Sequence, residues 1–126
     1  MKFFVTGSSG FIGFHLSKKL LNNGHKVYGF DSMNNYYDIK LKRDRLKILK
    51  SYKNFSFTRG NIENYKILNK TLLNFKPPII IHLAAQAGVR YSIDNPDVYL
   101  NSNILGTFNL IKIANKFKIK HLIVGS

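Results

Sequence analysis

Short apolar runs alternate along the chain with stretches in which apolar positions recur every three or four residues. The runs are KFFVT (Lys2–Thr6), VYGFD (Val27–Asp31), FSFTR (Phe55–Arg59), IIIHLAA (Ile79–Ala85) and HLIV (His121–Val124). Each has the length and the β-branched or aromatic content of a strand. IIIHLAA is apolar without alternation, as expected of a strand covered on both faces of a parallel sheet. The stretches between them carry helical spacing. Phe11–Asn23 repeats Ile12, Leu16 and Leu20 along one face, and Asn22-Asn23-Gly24 supplies a C-terminal stop. KLKRDRLKILK (40–50) places Leu41, Arg45, Ile48 and Tyr52 on one face, with Leu49 beside them. Glu63–Phe75 spaces Tyr65, Leu68 and Leu72 for burial and is broken by Pro77-Pro78. Pro96–Phe117 reads as one long helix with Val98, Ile104, Phe108 and Ile111 in register.

Strand and helix in alternation predict an α/β fold. The expectation is a doubly wound parallel sheet with right-handed crossovers and helices on both faces. No internal repeat, low-complexity tract or linker interrupts the pattern.

Composition changes this picture little. The chain has 126 residues, 44% of them apolar, which is enough for one domain with a core. It has no cysteine, so neither a disulfide framework nor a thiolate metal site is expected, and its four histidines show no ligand spacing. No apolar run approaches the roughly 20 residues that span a bilayer. The N-terminus enters a strand at once, without signal-peptide features. A cytoplasmic protein with no membrane partner is the expectation. The net charge of +14 comes mostly from lysines spread over the whole length. That spread points to solvated faces rather than to a nucleic-acid surface, and no nucleic-acid partner is expected. On the same ground 40–50 reads as an amphipathic surface helix with its charges outward.

The chemistry-bearing stretch is TGSSGFIG (6–13), between the first strand and the first helix. Gly7 allows a tight turn, Gly10 lets a pyrophosphate approach the backbone, and Gly13 lets the helix pack closely. The free N–H groups at the helix start would face phosphates. One glycine would serve a plain turn, whereas three at this spacing predict dinucleotide binding. A P-loop is excluded, because no Gly-Lys-Ser/Thr follows. Asp31 ends the second strand, where a carboxylate accepts hydrogen bonds from an adenosine ribose and repels a 2′-phosphate. The expected cofactor is therefore NAD rather than NADP.

The glycine spacing is G-x-x-G-x-x-G, and here the chain resembles the extended short-chain dehydrogenases/reductases that modify nucleotide sugars, which begin TGxxGFIG. The likeness is greatest to the UDP-glucuronate 4-epimerases, through FDSMNNYYDIKLKRDRL (30–46), HLAAQAGVRYSIDNP (82–96) and NSNILGTFNLI (101–111). The resemblance implies a Rossmann-type NAD-binding domain over residues 1–126, truncated after the fifth strand and lacking its C-terminal substrate domain. It implies that Gly7, Gly10, Phe11, Ile12 and Gly13 hold the pyrophosphate. Asp31 and Asn34 would face the adenosine ribose, and Asn61 and Ile62 would lie on the adenine side. Leu83, Ala84 and Ala85 would form the floor beside the cofactor, and Asn103 would lie near it. Gln86, Ala87, Gly88 and Arg90 would face the sugar nucleotide, with Gln86 and Arg90 as substrate contacts. Asn61 departs from the family's acidic residue, although its side-chain carbonyl can still accept a hydrogen bond.

In that family, NAD takes a hydride from C4 of the sugar and returns it to the other face of a 4-keto intermediate. UDP-glucuronate to UDP-galacturonate is the implied conversion, with a UDP-hexuronate as partner and a homodimer in the longer form. A 4,6-dehydratase, a UDP-glucuronate decarboxylase and a non-catalytic NAD-binding module are the alternatives. The family's base is the tyrosine of Tyr-x-x-x-Lys after the fifth strand, which lies beyond Ser126. Tyr36 and Lys40 match the spacing but follow the second strand, on the adenosine side, and are rejected. No catalytic residue is therefore assigned, and the fragment alone is expected to be inactive. His82, in a buried strand, reads as a satisfied core histidine.

Overall fold

The chain folds as β1 (Lys2–Thr6), α1 (Phe11–Asn22), β2 (Lys26–Asp31), α2 (Ile39–Lys50), β3 (Phe55–Arg59), α3 (Tyr65–Phe75), β4 (Ile79–His82), α4 (Pro96–Leu100), a π-helical turn (Asn101–Leu105), α5 (Gly106–Lys116) and β5 (His121–Val124). The computed structural model describes residues 1–33, 39–84, 93–94 and 96–125. The strands form one sheet in the order β3-β2-β1-β4-β5. Every pairing is parallel; Phe3 lies opposite Val27 on one side and Ile79 on the other. The chain first winds outward from β1 through β2 to β3, then returns to β4 on the other side of β1. Between β1 and β4 the winding reverses, and a crevice opens there at the carboxyl ends of the strands.

Alternation along the strands divides the core into two layers. On one face Phe4, Phe30 and Ile80 pack with Leu68 and Leu72 of α3 and Leu110 and Ile113 of α5. On the other, Val5, Val27 and Ile81 pack with Phe14 and Leu21 of α1 and Leu49 of α2. The sheet is thus covered on both sides, and the expected Rossmann-type architecture is the one observed.

Three helices bury faces rotated from those read from the sequence, although Leu16 and Leu20 of α1 and Tyr52 after α2 pack against the core as expected. In α1 the buried residues are Gly13, Phe14, Ser17 and Leu21, while Ile12 is exposed. In α2 they are Lys42 and Leu49, while Leu41 and Ile48 are exposed. In α5 they are Gly106, Asn109, Leu110 and Ile113, while Ile104, Phe108 and Ile111 lie outside. The long expected helix is divided by the π-helical turn, which shifts the apolar register of everything after it. In α1 and α2 the cause is polar chemistry at the strand ends, which draws small or charged residues inward. The helix after β3 starts at Tyr65 rather than Glu63, because the Asn64 side chain caps it by accepting from the Ile67 N–H at 3.3 Å. The C-terminal stop of α1 is as expected: Gly24 has φ +86° and donates to the Leu21 carbonyl at 3.0 Å.

Candidate functional site

The glycine turn sits at the crevice. Gly7 has φ +72°, which favours glycine, and its N–H donates to the Phe30 carbonyl at 2.7 Å, tying the turn to β2. A side chain there would meet the end of β4: a Cβ would lie 2.8 Å from the Leu83 carbonyl carbon and 2.9 Å from the Ala84 nitrogen. At Gly13 a Cβ would overlap the Gly7 carbonyl oxygen. Helix α1 therefore rests directly on the turn. Gly10 holds the N-cap position with no side-chain hydrogen bond to the helix, and the first helical bond is Phe14 N–H to the Gly10 carbonyl at 2.9 Å. The N–H groups of residues 11–13 consequently have no partner within the helix. Phe11 and Ile12 both turn their side chains to solvent. Any part they take in holding a pyrophosphate is through backbone. Gly29, in the middle of β2, completes the packing, because a Cβ there would lie 2.6 Å from Ser8 Oγ. Ser8 Oγ and Ser9 Oγ are buried without a hydrogen-bond partner among the described residues. Ser17 Oγ in α1 is likewise buried without a partner among the described residues; it is the open N–H groups at the start of α1 that fit a polar ligand such as a pyrophosphate.

Asp31 stands beside this turn, buried at the end of β2. Its Oδ2 accepts from the Ser9 N–H at 3.0 Å, and its Oδ1 accepts from the Met33 N–H at 2.8 Å and from Lys42 Nζ at 3.0 Å. Met33 itself takes a left-handed φ of +55°. Lys42 and Asp31 are a buried ion pair. One turn along α2, Arg45 donates to the Ser9 carbonyl at 3.2 Å and lies over the Phe11 ring, 5.7 Å from its centre.

On the far side of the crevice, Thr6 Oγ1 accepts from the Leu83 and Ala84 N–H groups at 2.9 and 3.1 Å. With both lone pairs engaged, its own proton goes to His82 Nδ1 at 2.7 Å. His82 Nε2 then carries the ring proton and donates to Thr107 Oγ1 at 3.0 Å. One histidine ties the β1 end, the β4 end and α5 together, so the expected satisfied core histidine is what the geometry shows. Burial pushes its pKa down from 6.5 to about 4. The unfolded chain therefore takes up a proton that the folded one refuses between those values. The contribution of neutral His82 is complete above about pH 6.5 and lost as pH falls towards 4, amounting to about 3 kcal/mol. Chemical denaturation across pH 4–7 checks this; the His82→Asn variant, less stable at pH 7, is expected to show a flatter profile.

The remaining sequence-derived positions are placed as follows. Asn61 is exposed, and its carbonyl accepts from the Asn64 N–H at 3.0 Å. Ile62 is buried over Gly106, and its carbonyl accepts from Asn109 Nδ2 at 2.9 Å. Asn103 lies half-buried in the π-helical turn before Thr107. Leu83 and Ala84 are half-buried at the crevice floor. Asn34, Tyr36, Ala85, Gln86, Ala87, Gly88 and Arg90 lie outside the described residues. Sequence reasoning missed Lys42, Thr6, Thr107 and Gly29. Two of these carried a signal: Gly29 interrupts a buried strand, which marks a close backbone approach, and Lys42 lies seven residues before buried Leu49. Among the described residues no cluster of histidine, aspartate or glutamate could hold a metal ion. No helix there is long and apolar enough to cross a membrane.

A parallel sheet in this order, a glycine turn opening α1 at the winding reversal and a carboxylate closing β2 define a Rossmann-type dinucleotide-binding fold. The family model described as GDP-mannose 4,6 dehydratase matches residues 4–126. The chain belongs to that family of epimerases and dehydratases. It is 48% identical over its full length to the protein CapI of Staphylococcus aureus and 43% identical to a probable UDP-glucuronate 4-epimerase of Rhizobium meliloti. It spans 37% of the length of each. Its fold superposes with a TM-score of 0.86 on a mutant UDP-glucuronic acid 4-epimerase from Bacillus cereus, solved with UDP-4-deoxy-4-fluoro-glucuronic acid and NAD. The identity there is 34%, covering 98% of this chain and 39% of that one.

Proposed function

We propose that residues 1–126 form the NAD-binding domain of a nucleotide-sugar 4-epimerase that interconverts UDP-glucuronate and UDP-galacturonate. The observation that carries this reading is the convergence of the open α1 N-terminus, the Asp31 carboxylate and the clamped β4 end on one crevice. NAD bound there supplies reversible hydride transfer at C4 of the sugar. The backbone N–H groups at the start of α1 hold the pyrophosphate. Asp31 and Lys42 hold the adenosine ribose. The Thr6–His82–Thr107 chain keeps Leu83 and Ala84 rigid beneath the nicotinamide side. The role of these residues is to bind the cofactor, and turnover of sugar by this chain alone is not expected. The exposed row Ile104, Phe108 and Ile111 is the surface through which a homodimer would form.

Among relatives, those named UDP-glucuronate 4-epimerases support the epimerase reading. The family model's description supports a 4,6-dehydratase as the second reading. In a protein that joins this domain to a substrate domain, UDP-glucuronate is expected to yield UDP-galacturonate with NAD regenerated. Product analysis by nuclear magnetic resonance checks this; a 4-keto-6-deoxy sugar or a pentose would overturn the epimerase assignment.

A further inference from the structure

Helix α2 turns two of its cations inward, although the sequence offers it ample solvent-facing positions for them. Lys42 is buried and paired with Asp31 at 3.0 Å. Half-buried Arg45 reaches the carbonyl of Ser9, whose N–H is bound by that same carboxylate. Lys42 thus reaches Ser9 only through Asp31, whose other oxygen accepts the Ser9 N–H, while Arg45 binds the Ser9 carbonyl directly, where the glycine turn meets β2. Buried ion pairs contribute little to stability compared with apolar packing of the same volume. With Asp31 buried at the end of β2, a lysine at this position balances a carboxylate that would otherwise be buried without a counter-charge, so the pair and not Asp31 alone sets the charge of this corner.

We propose that Lys42 is a second determinant of cofactor selectivity, setting with Asp31 the charge that meets the 2′ position of the adenosine ribose. The inference rests on the reading that this crevice binds NAD through Asp31. A carboxylate alone repels a 2′-phosphate; a carboxylate paired with an ammonium repels it less. Discrimination against NADP is therefore partial in this chain and is adjustable from either partner. Removing Lys42 makes the corner more negative by one charge, and removing Asp31 makes it more positive by one. Removing both restores the parent's net charge.

The test is the ratio of Kd for NADP to Kd for NAD, measured by calorimetry on the whole chain. The two dinucleotides differ only in the 2′-phosphate. Each unit of charge added or removed at this corner is expected to move the ratio by roughly tenfold. Lys42→Met is expected to raise the ratio, Asp31→Ser to lower it until NADP binds at least as well as NAD, and the double variant to fall near the parent. Asp31→Ser retains a hydroxyl that can accept one of the two backbone N–H groups. Should it still fail to fold, as judged by circular dichroism, the Lys42→Met arm decides the matter. A ratio unchanged in Lys42→Met, or a double variant no different from Asp31→Ser, overturns the proposal while leaving the NAD reading intact. A parent chain that binds neither dinucleotide overturns both.

Discussion

Gly13→Ala is expected to remove dinucleotide binding, with an affinity loss of at least roughly a hundredfold, and to destabilise the fold by about 3 kcal/mol. The expectation runs against helix propensity, which favours alanine over glycine by about 1 kcal/mol in a helix interior. Contact decides the sign. The added methyl would overlap the Gly7 carbonyl oxygen and lie 2.8 Å from the Gly7 carbonyl carbon. Both are backbone atoms of a turn that is itself pressed against Leu83 and Ala84. Nothing there can rotate away, so either α1 lifts off the turn or the turn opens. Each outcome misplaces the N–H groups of residues 11–13 relative to Asp31. A thermal melt and a calorimetric titration with NAD measure the two effects. A variant with unchanged melting temperature and affinity would show that α1 and the turn do not meet as described.

Asp31→Ala is expected to cost about 3 kcal/mol of stability and to weaken NAD binding by roughly ten- to a hundredfold. The carboxylate accepts three hydrogen bonds, from the Ser9 and Met33 N–H groups and from Lys42. Alanine leaves two buried backbone donors without that acceptor. It also removes one of the two ties between the glycine turn and β2, leaving the Gly7 N–H bond to the Phe30 carbonyl. Lys42→Met also strands a buried charge, but it is expected to cost less, because Asp31 keeps both backbone donors, whereas Asp31→Ala takes the counter-charge from the Lys42 ammonium and the acceptor from two N–H groups together. Urea denaturation of the two variants side by side tests the asymmetry, and equal losses would contradict it.

The fold was readable because the chain spells its strands as compact apolar runs and punctuates them with glycine and proline. TGSSGFIG and the aspartate that ends VYGFD were readable for a related reason. Their demands are local, namely a left-handed turn, a close approach and a carboxylate at a strand end. What escaped was set by tertiary contact. Lys42 looked like one more solvated base until β2 placed Asp31 against it. The inner face of α5 was misjudged because the π-helical turn shifts its register, leaving Phe108 and Ile111 outside and Leu110 and Ile113 inside. The partners of His82, Thr6 and Thr107, are 76 and 25 residues away in sequence, and only sheet register and helix packing bring them together.

The central claim is that the α1 N-terminus, Asp31 and the β4 end form one NAD site. It is tested most directly by titrating NAD into the nitrogen-15-labelled chain and following backbone amides. Shifts concentrated at Ser9 to Gly13, Asp31, Met33, Leu83 and Ala84 are the expected result. Absence of shifts at saturating NAD would contradict the claim. So would shifts gathered at the opposite end of the sheet, around the cavity of about 320 Å³ lined by Leu73, Pro78 and Ile119.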